Sequence, residues 1–276
     1  METIIEGIVF GESPRWRDGR VWVSDWARGR VSSVEPDGSG ERVEAEVASF
    51  PLCFDFLPDG DLLLVSSADR ALLRREADGS LTTYADLAGL ASTPYNDIVV
   101  VGRGNAYVNN IGYDFPGGEP RPGIVVLVTG DGRASEVADD LQFPNGMAVT
   151  ADGSTLVVAE SHAEQLTAYD ISADGTLSGR RVWAETPGDH PDGICLDETG
   201  AIWYADVGNA HCRRVREGGE LLDTIAFARG AFSCTLSRAG EPTLFVVGQD
   251  YGGPDDAPPS GVLGAFPVRH GGAGFP

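Results

Sequence analysis

The sequence predicts an all-β chain, a six-bladed β-propeller with four-stranded antiparallel blades, forming one domain over residues 1–276. Three observations lead there. First, strand-like runs recur at a fixed spacing. Aligned on their first apolar residue, Val21, Leu62, Ala106, Leu156, Ile202 and Leu244 are 41, 44, 50, 46 and 42 residues apart. A period of about 40–50 residues is that of a propeller blade, and a β-solenoid needs shorter repeats. Second, turn dipeptides punctuate the runs: Asp18-Gly19, Asp37-Gly38, Asp59-Gly60, Asp78-Gly79, Asp131-Gly132, Asp152-Gly153 and Asp174-Gly175. Asp-Gly suits tight hairpins because their central residues need positive φ. Third, no long 3.6-residue amphipathic pattern interrupts the runs, which sets aside an α/β architecture.

The blades follow in order. RVWVSD carries blade one and DLLLVSS blade two, each after an Asp-Gly turn. Blade three is anchored at Ala106, and STLVVAES and AIWYADV carry blades four and five. Leu244 anchors blade six, with GVLGAFPV as a late strand. The N-terminal ETIIEGIVF is expected to add a strand to blade six and close the ring, because an unclosed propeller leaves an open sheet edge. The longest turn-rich insertion, Gly112 to Gly123, reads as a solvated loop or as a lid over a site.

Composition narrows the partners. Hydrophobic residues make up 42% of the chain, enough for a sizeable core. With 20 Lys and Arg against 42 Asp and Glu, the net charge is −22. That argues against nucleic acid and anionic membranes as partners, since phosphate binding needs clustered cations. It is compatible with cation binding, although most of the charge serves as a solvated surface. No run approaches the roughly 18 apolar residues of a membrane span, and METIIEGIVFGESPRW does not read as a signal peptide. Cys53, Cys195, Cys212 and Cys234 are widely spaced, so reduced thiols in a cytoplasm are expected. The glycines sit in hairpin turns, so a nucleotide cofactor is not indicated. A small-molecule substrate is the expected partner, and the oligomeric state is left open.

In a propeller the innermost strand of each blade lines the axis, so equivalent positions of different blades meet. Counting back about ten residues from each anchor reaches Glu12, Cys53, Asn96, Asn145, Asp192 and, in blade six, Ser233 or Cys234. Glu12, Asn96, Asn145 and Asp192 are oxygen donors. Two carboxylates and two amides suit one hard divalent cation, best calcium, at about 2.3–2.6 Å, with Zn2+, Mn2+ or Mg2+ as alternatives. Without a cation, Glu12 and Asp192 would repel and be desolvated together. Singly, Asn145-Gly146 and Asp192-Gly193 read as turns. Four oxygen donors at one phase of a repeat favour a metal site.

These residues resemble the senescence marker protein / gluconolactonase / luciferin-regenerating enzyme family, six-bladed calcium-dependent lactonases. The resemblance rests on GESPRW around Glu12, Asn96-Asp97, PNG around Asn145, and PDG around Asp192 followed by IWYADV. It implies metal coordination by Glu12, Asn145 and Asp192, with Asn96 binding substrate or metal. One departure stands out. Sugar-lactone members carry an Arg two residues before the Asn-Asp pair, and here that position is Pro94. Tyr95, Tyr113, Trp26 and Phe232 are alternative lining residues for an apolar mouth, or ordinary blade packing. Asn110 and His162 complete the candidate substrate contacts, with turn capping and loop exposure as their competing readings.

The expected chemistry is metal-assisted hydrolysis of a lactone or related ester, with the cation polarising the carbonyl and Asp192 activating water. Attack by Asp192 itself is the variant. His162 and His190 are rival bases. Ser13 is a weak nucleophile candidate because its context is not G-x-S-x-G. Competing functions are an organophosphate or specialised-metabolite substrate on the same fold, a strictosidine-synthase-like amine condensation, and a binding scaffold. A scaffold has no need of the axial oxygen ring.

Overall fold

The structure is a computed structural model describing residues 1–102, 104–115, 117–251 and 259–276. Six four-stranded antiparallel sheets stand in a ring. Their innermost strands are Gly11–Arg17, Leu52–Phe56, Tyr95–Val101, Pro144–Val149, Pro191–Leu196 and Gly230–Leu236 for blades one to six. Each packs on the innermost strand of the next blade, and blade six returns to blade one. The N-terminal strand Glu2–Ile8 pairs antiparallel with Gly261–Pro267 and forms the outer edge of blade six. The ring is therefore closed by strands from both ends of the chain. Among the described residues the only helix is the 3-10 turn Ser161–Ala163, and no helix is long and apolar enough to cross a membrane.

Local chemistry explains the elements. At the seven Asp-Gly turns the glycine φ lies between 72° and 98°, the region a Cβ disfavours. The aspartates at 37 and 78 accept the backbone N–H two residues on, both at 2.9 Å, fixing the turns. Burial falls outward across each blade. Pro191–Leu196 is buried throughout, whereas the outer strand Leu221–Ala226 is largely exposed. The apolar core is accordingly split into wedges between adjacent sheets, the largest uniting blades one to three around Phe54, Leu64 and Tyr95. The axis is left to polar residues. At its far end the segment Gly271–Pro276 crosses beneath the inner strands, with Phe275 and Val149 exchanging both backbone hydrogen bonds and Ala273 N–H donating to Leu196 O at 3.0 Å.

Five of the six innermost strands break register near their start, after the first residue in blades three, four and five and after the second in blades one and six. Blade two alone pairs regularly. A bulge bends a strand and re-aims its side chains. In blades three, four and five the irregular stretch begins with Asn96, Asn145 or Asp192, and in blade one it directly follows Glu12.

Candidate active site

In blades one to five the second residue of the inner strand is the one that reaches the axis. Glu12, Asn96, Asn145 and Asp192 all line a single cavity of about 460 Å³ at the strand-start end of the channel. A smaller void of about 10 Å³ beneath it touches Glu12, Asn96 and Asn145 together with Cys53 and Ser233, the size of one water or ion. Glycines allow this convergence. A Cβ on Gly146 would lie 2.6 Å from Ile194 N and 2.7 Å from Asp192 O. A Cβ on Gly193 would overlap the Ser233 side chain and come 2.6 Å from its Cα. Both glycines sit within strands, so close approach of neighbouring blades, rather than a turn, requires them.

The hydrogen bonds show which donors are engaged. Asn96 Nδ2 donates to Asn145 Oδ1 at 3.0 Å. Ser13 N–H donates to Glu12 Oε2 at 3.2 Å. Among the described residues Asp192 Oδ1 is buried without any hydrogen-bond partner. A lone buried carboxylate oxygen is costly, and it marks a place where a cation fits. Burial above all, with repulsion from Asp97, pushes the Glu12 carboxyl up to about 8. Burial and then the Glu12 charge push Asp192 well above the usual carboxylate range. Two such carboxyls hold protons when no cation is near and release them to one. The donor set and its electrostatics fit a hard divalent ion.

Below the ring, Arg15 donates through Nη2 to Asp97 Oδ1 at 3.1 Å and to Ile98 O at 2.9 Å. Among the described residues it makes no hydrogen bond to the four donors. Asp97 also accepts Met147 N–H at 3.0 Å, and its own N–H donates to Asn109 Oδ1 at 2.9 Å. Asn109 in turn donates to Asn145 O. This layer ties blades one, three and four together and offsets the Asp97 charge. It was not evident in the sequence.

A second network holds the approach to Asp192. His190 N–H donates to Asp206 Oδ2 at 2.7 Å, and Asn209 bridges Asp189 and Asp206. Asp189, Asp206 and His211 have donor atoms within 4.8 Å of one another, a possible metal grouping by distance. Asp189 Oδ2, however, already accepts Tyr204 OH at 2.6 Å, Arg213 Nη1 at 2.6 Å and contacts His211 Nε2 at 3.0 Å. The Arg213 guanidinium supplies the counter-charge, so the group acts as a clamp on the loop. His190 Nδ1 lies 2.9 Å from Ser161 O. A carbonyl only accepts, so Nδ1 carries hydrogen, and in the neutral ring Nε2 is an acceptor for a ligand in the cavity.

The remaining expected contacts divide. Trp26, His162, His190 and Phe232 line the cavity. Tyr113 stands behind its wall, against Phe143 at 5.8 Å and His162 at 6.3 Å. The 112–123 segment, whose position 116 lies outside the described residues, contributes Phe115 to the lining. Two expectations are corrected. Tyr95 is fully buried between blades two and three, its hydroxyl donating to Leu87 O at 2.8 Å. Neighbours on a strand point to opposite sides, so Asn96 at the axis puts Tyr95 in the core. Asn110 is consumed by the scaffold: its Nδ2 donates to Thr93 O and Pro94 O, and its Oδ1 accepts from Thr93 and Gly112. Sequence reasoning missed Phe10, Phe50, Phe143 and Tyr251 in the lining, since loop residues carry no periodic signal.

Comparisons with known proteins agree with the fold. The profile of the SMP-30/Gluconolactonase/LRE-like region matches residues 10–249. L-arabinolactonase of Azospirillum brasilense is 27% identical over 279 residues, covering 95% of this chain and 89% of the relative. Diisopropyl-fluorophosphatase of Loligo vulgaris is 30% identical over 173 residues, covering 55% of this chain and 54% of that enzyme, about half its length. Among solved structures, a gluconolactonase of Xanthomonas campestris superposes with a TM-score of 0.78 at 25% identity, covering 96% and 89% of the two chains. A luciferin-regenerating enzyme gives 0.84 at 18% identity over 99% and 97%, a likeness of fold.

Proposed function

Because this chain belongs to the SMP-30/gluconolactonase/LRE-like family, we propose that it is a divalent-metal-dependent hydrolase that opens a lactone or related ester at the mouth of its channel. The observation that carries the reading is the floor of the cavity, where four oxygen donors from four blades converge and Asp192 Oδ1 has no hydrogen-bond partner among the described residues. Glu12, Asn96, Asn145 and Asp192 are the residues that would hold the cation, with calcium the best match to hard oxygen donors. When bound, the ion supplies charge that polarises the scissile carbonyl and stabilises the oxyanion developing on it.

The chain's own groups do the rest. Asp192 takes the proton from the attacking water through the carboxylate oxygen not turned to the ion, since its carboxylate borders the cavity. The Asp206–His190 bond holds the segment leading into it. Asn145 is steadied by Asn96 at 3.0 Å and by Ser161 Oγ at 3.4 Å, and Ser161 is itself tied to Pro191 O at 2.8 Å. His190 Nε2 orients a substrate donor. The aromatic walls limit water to the polar floor. The test is turnover of a lactone panel with and without chelator. Chelation should abolish hydrolysis and added cation restore it, while Asp192→Asn should fold normally and lose about 10²–10⁴-fold in kcat. A fully active Asp192→Asn enzyme would remove Asp192 from this role. The same apparatus acting on an organophosphate is the second reading, favoured by the similarity to the fluorophosphatase.

A further inference from the structure

The cavity above the donor ring is walled by two separate groups of aromatic rings. Phe10 is the hub of one, with Trp26, Phe50 and Phe232 each 5.2 Å from it. Phe143 is the hub of the other, 5.2 Å from Phe115 and 4.7 Å from His162. No Lys or Arg is among the described residues of the lining. Its side-chain polar groups are the four donors and Ser161 at the floor, the two histidines, and the single donors of the Trp26 indole and the Tyr251 hydroxyl. Phe50 and Phe115 keep 48% and 39% of their surface exposed, an apolar area that a ligand can cover.

From these features we infer that the ligand is an uncharged lactone or ester bearing an apolar alkyl or aryl substituent, held between the two walls, and that Phe143 is a specificity-determining residue. The lactone part of this inference rests on the hydrolase reading above, whereas the apolar part rests on the walls alone. A polyhydroxylated ring would set hydroxyls against aromatic faces, and each hydroxyl buried without a partner weakens binding. Pro94, two residues before Asn96, offers no side-chain donor in compensation.

Phe143 has a second peculiarity. Its φ is 57°, in the left-handed region that a bulky side chain rarely adopts. Hydrogen bonds hold it there. Its carbonyl accepts Ser161 N–H at 3.1 Å, and the preceding Gln142 gives its N–H to Glu160 Oε2 at 2.7 Å and accepts His162 N–H at 3.1 Å. Backbone strain held in place by neighbours is concentrated at ligand clamps. Here it fixes one aromatic ring against the cavity, immediately before the Pro144-Asn145 pair.

The experiment uses the full chain loaded with calcium and two lactams that resist hydrolysis, a phenyl-substituted δ-lactam and gluconolactam, titrated by calorimetry. Covering a phenyl-sized apolar group is worth roughly tenfold or more in affinity, so the phenyl lactam should bind at least tenfold tighter. Phe143→Ala should shrink that ratio about fivefold or more, and Phe143→Tyr should retain it. Phe115→Ala, on the exposed rim, gives a second reading should Phe143→Ala fold poorly, and it should shrink the ratio in the same direction. Equal or tighter binding of gluconolactam, no binding of the phenyl lactam, or a ratio that none of the variants changes overturns the inference. If every lactone tested resists hydrolysis while the phenyl preference persists, the hydrolase reading falls and the apolar ligand class stands. If gluconolactone is hydrolysed and no phenyl preference exists, the reverse holds.

Discussion

Glu12→Gln removes one of the two buried carboxyls at the cavity floor and keeps an oxygen in its place. In the cation-free protein Glu12 retains its proton up to about 8, against 4.5 for an unperturbed glutamate. The folded chain therefore binds a proton that the unfolded chain has already released. Stability contributed by this group is present below the lower value and is lost as pH rises toward the upper one. Between about pH 5 and pH 8 the loss is about 3–4 kcal/mol. For 276 residues, at about 2.1 cal/mol/K of unfolding entropy per residue, that corresponds to about 6 °C in Tm. The amide has no such proton to lose. Thermal unfolding in chelator at several pH values should then show the wild-type Tm falling about 6 °C further than that of Glu12→Gln. Calcium should restore the wild type at the upper end, because the cation replaces the proton as counter-charge, and should restore the variant less. Parallel Tm curves for the two proteins in chelator would refute the reasoning, since Glu12 would then be ionised or solvated in the cation-free fold.

Two further outcomes follow from the axis. Arg15→Met leaves Asp97 without its guanidinium partner in a buried layer; a loss of about 3–5 kcal/mol is expected from the urea midpoint, with partial recovery in Arg15→Met/Asp97→Asn. Gly193→Ala forces a methyl group against Ser233, 2.6 Å from its Cα, and the separation of blades five and six should lower stability by about 1–3 kcal/mol, read by the same denaturation. A variant as stable as the parent in either case would contradict the packing described for that layer.

Much of this protein is written in its sequence, for reasons that are local or periodic. The blade spacing follows from strand-length apolar runs, and the hairpins follow from Asp-Gly pairs whose glycines take positive φ. The donor ring could be located because a repeat places equivalent residues at one phase, so Glu12, Asn96, Asn145 and Asp192 could be named together although 180 residues separate the first from the last. The same logic, applied one step further, would have excluded Tyr95: on a strand the neighbour of an axial residue faces the core. What lay beyond sequence was everything set by approach between blades. Arg15 meets Asp97 across 82 positions, and Asn109 supports Asn145 from a different sheet. The aromatic walls draw Phe10, Phe50, Phe115 and Phe143 from loops of separate blades. Repeats determine the strands because the pattern of the inner strands is enforced by burial on both faces. Loops are under no such constraint, so their rings acquire a common purpose only when closure of the circle brings them around one floor.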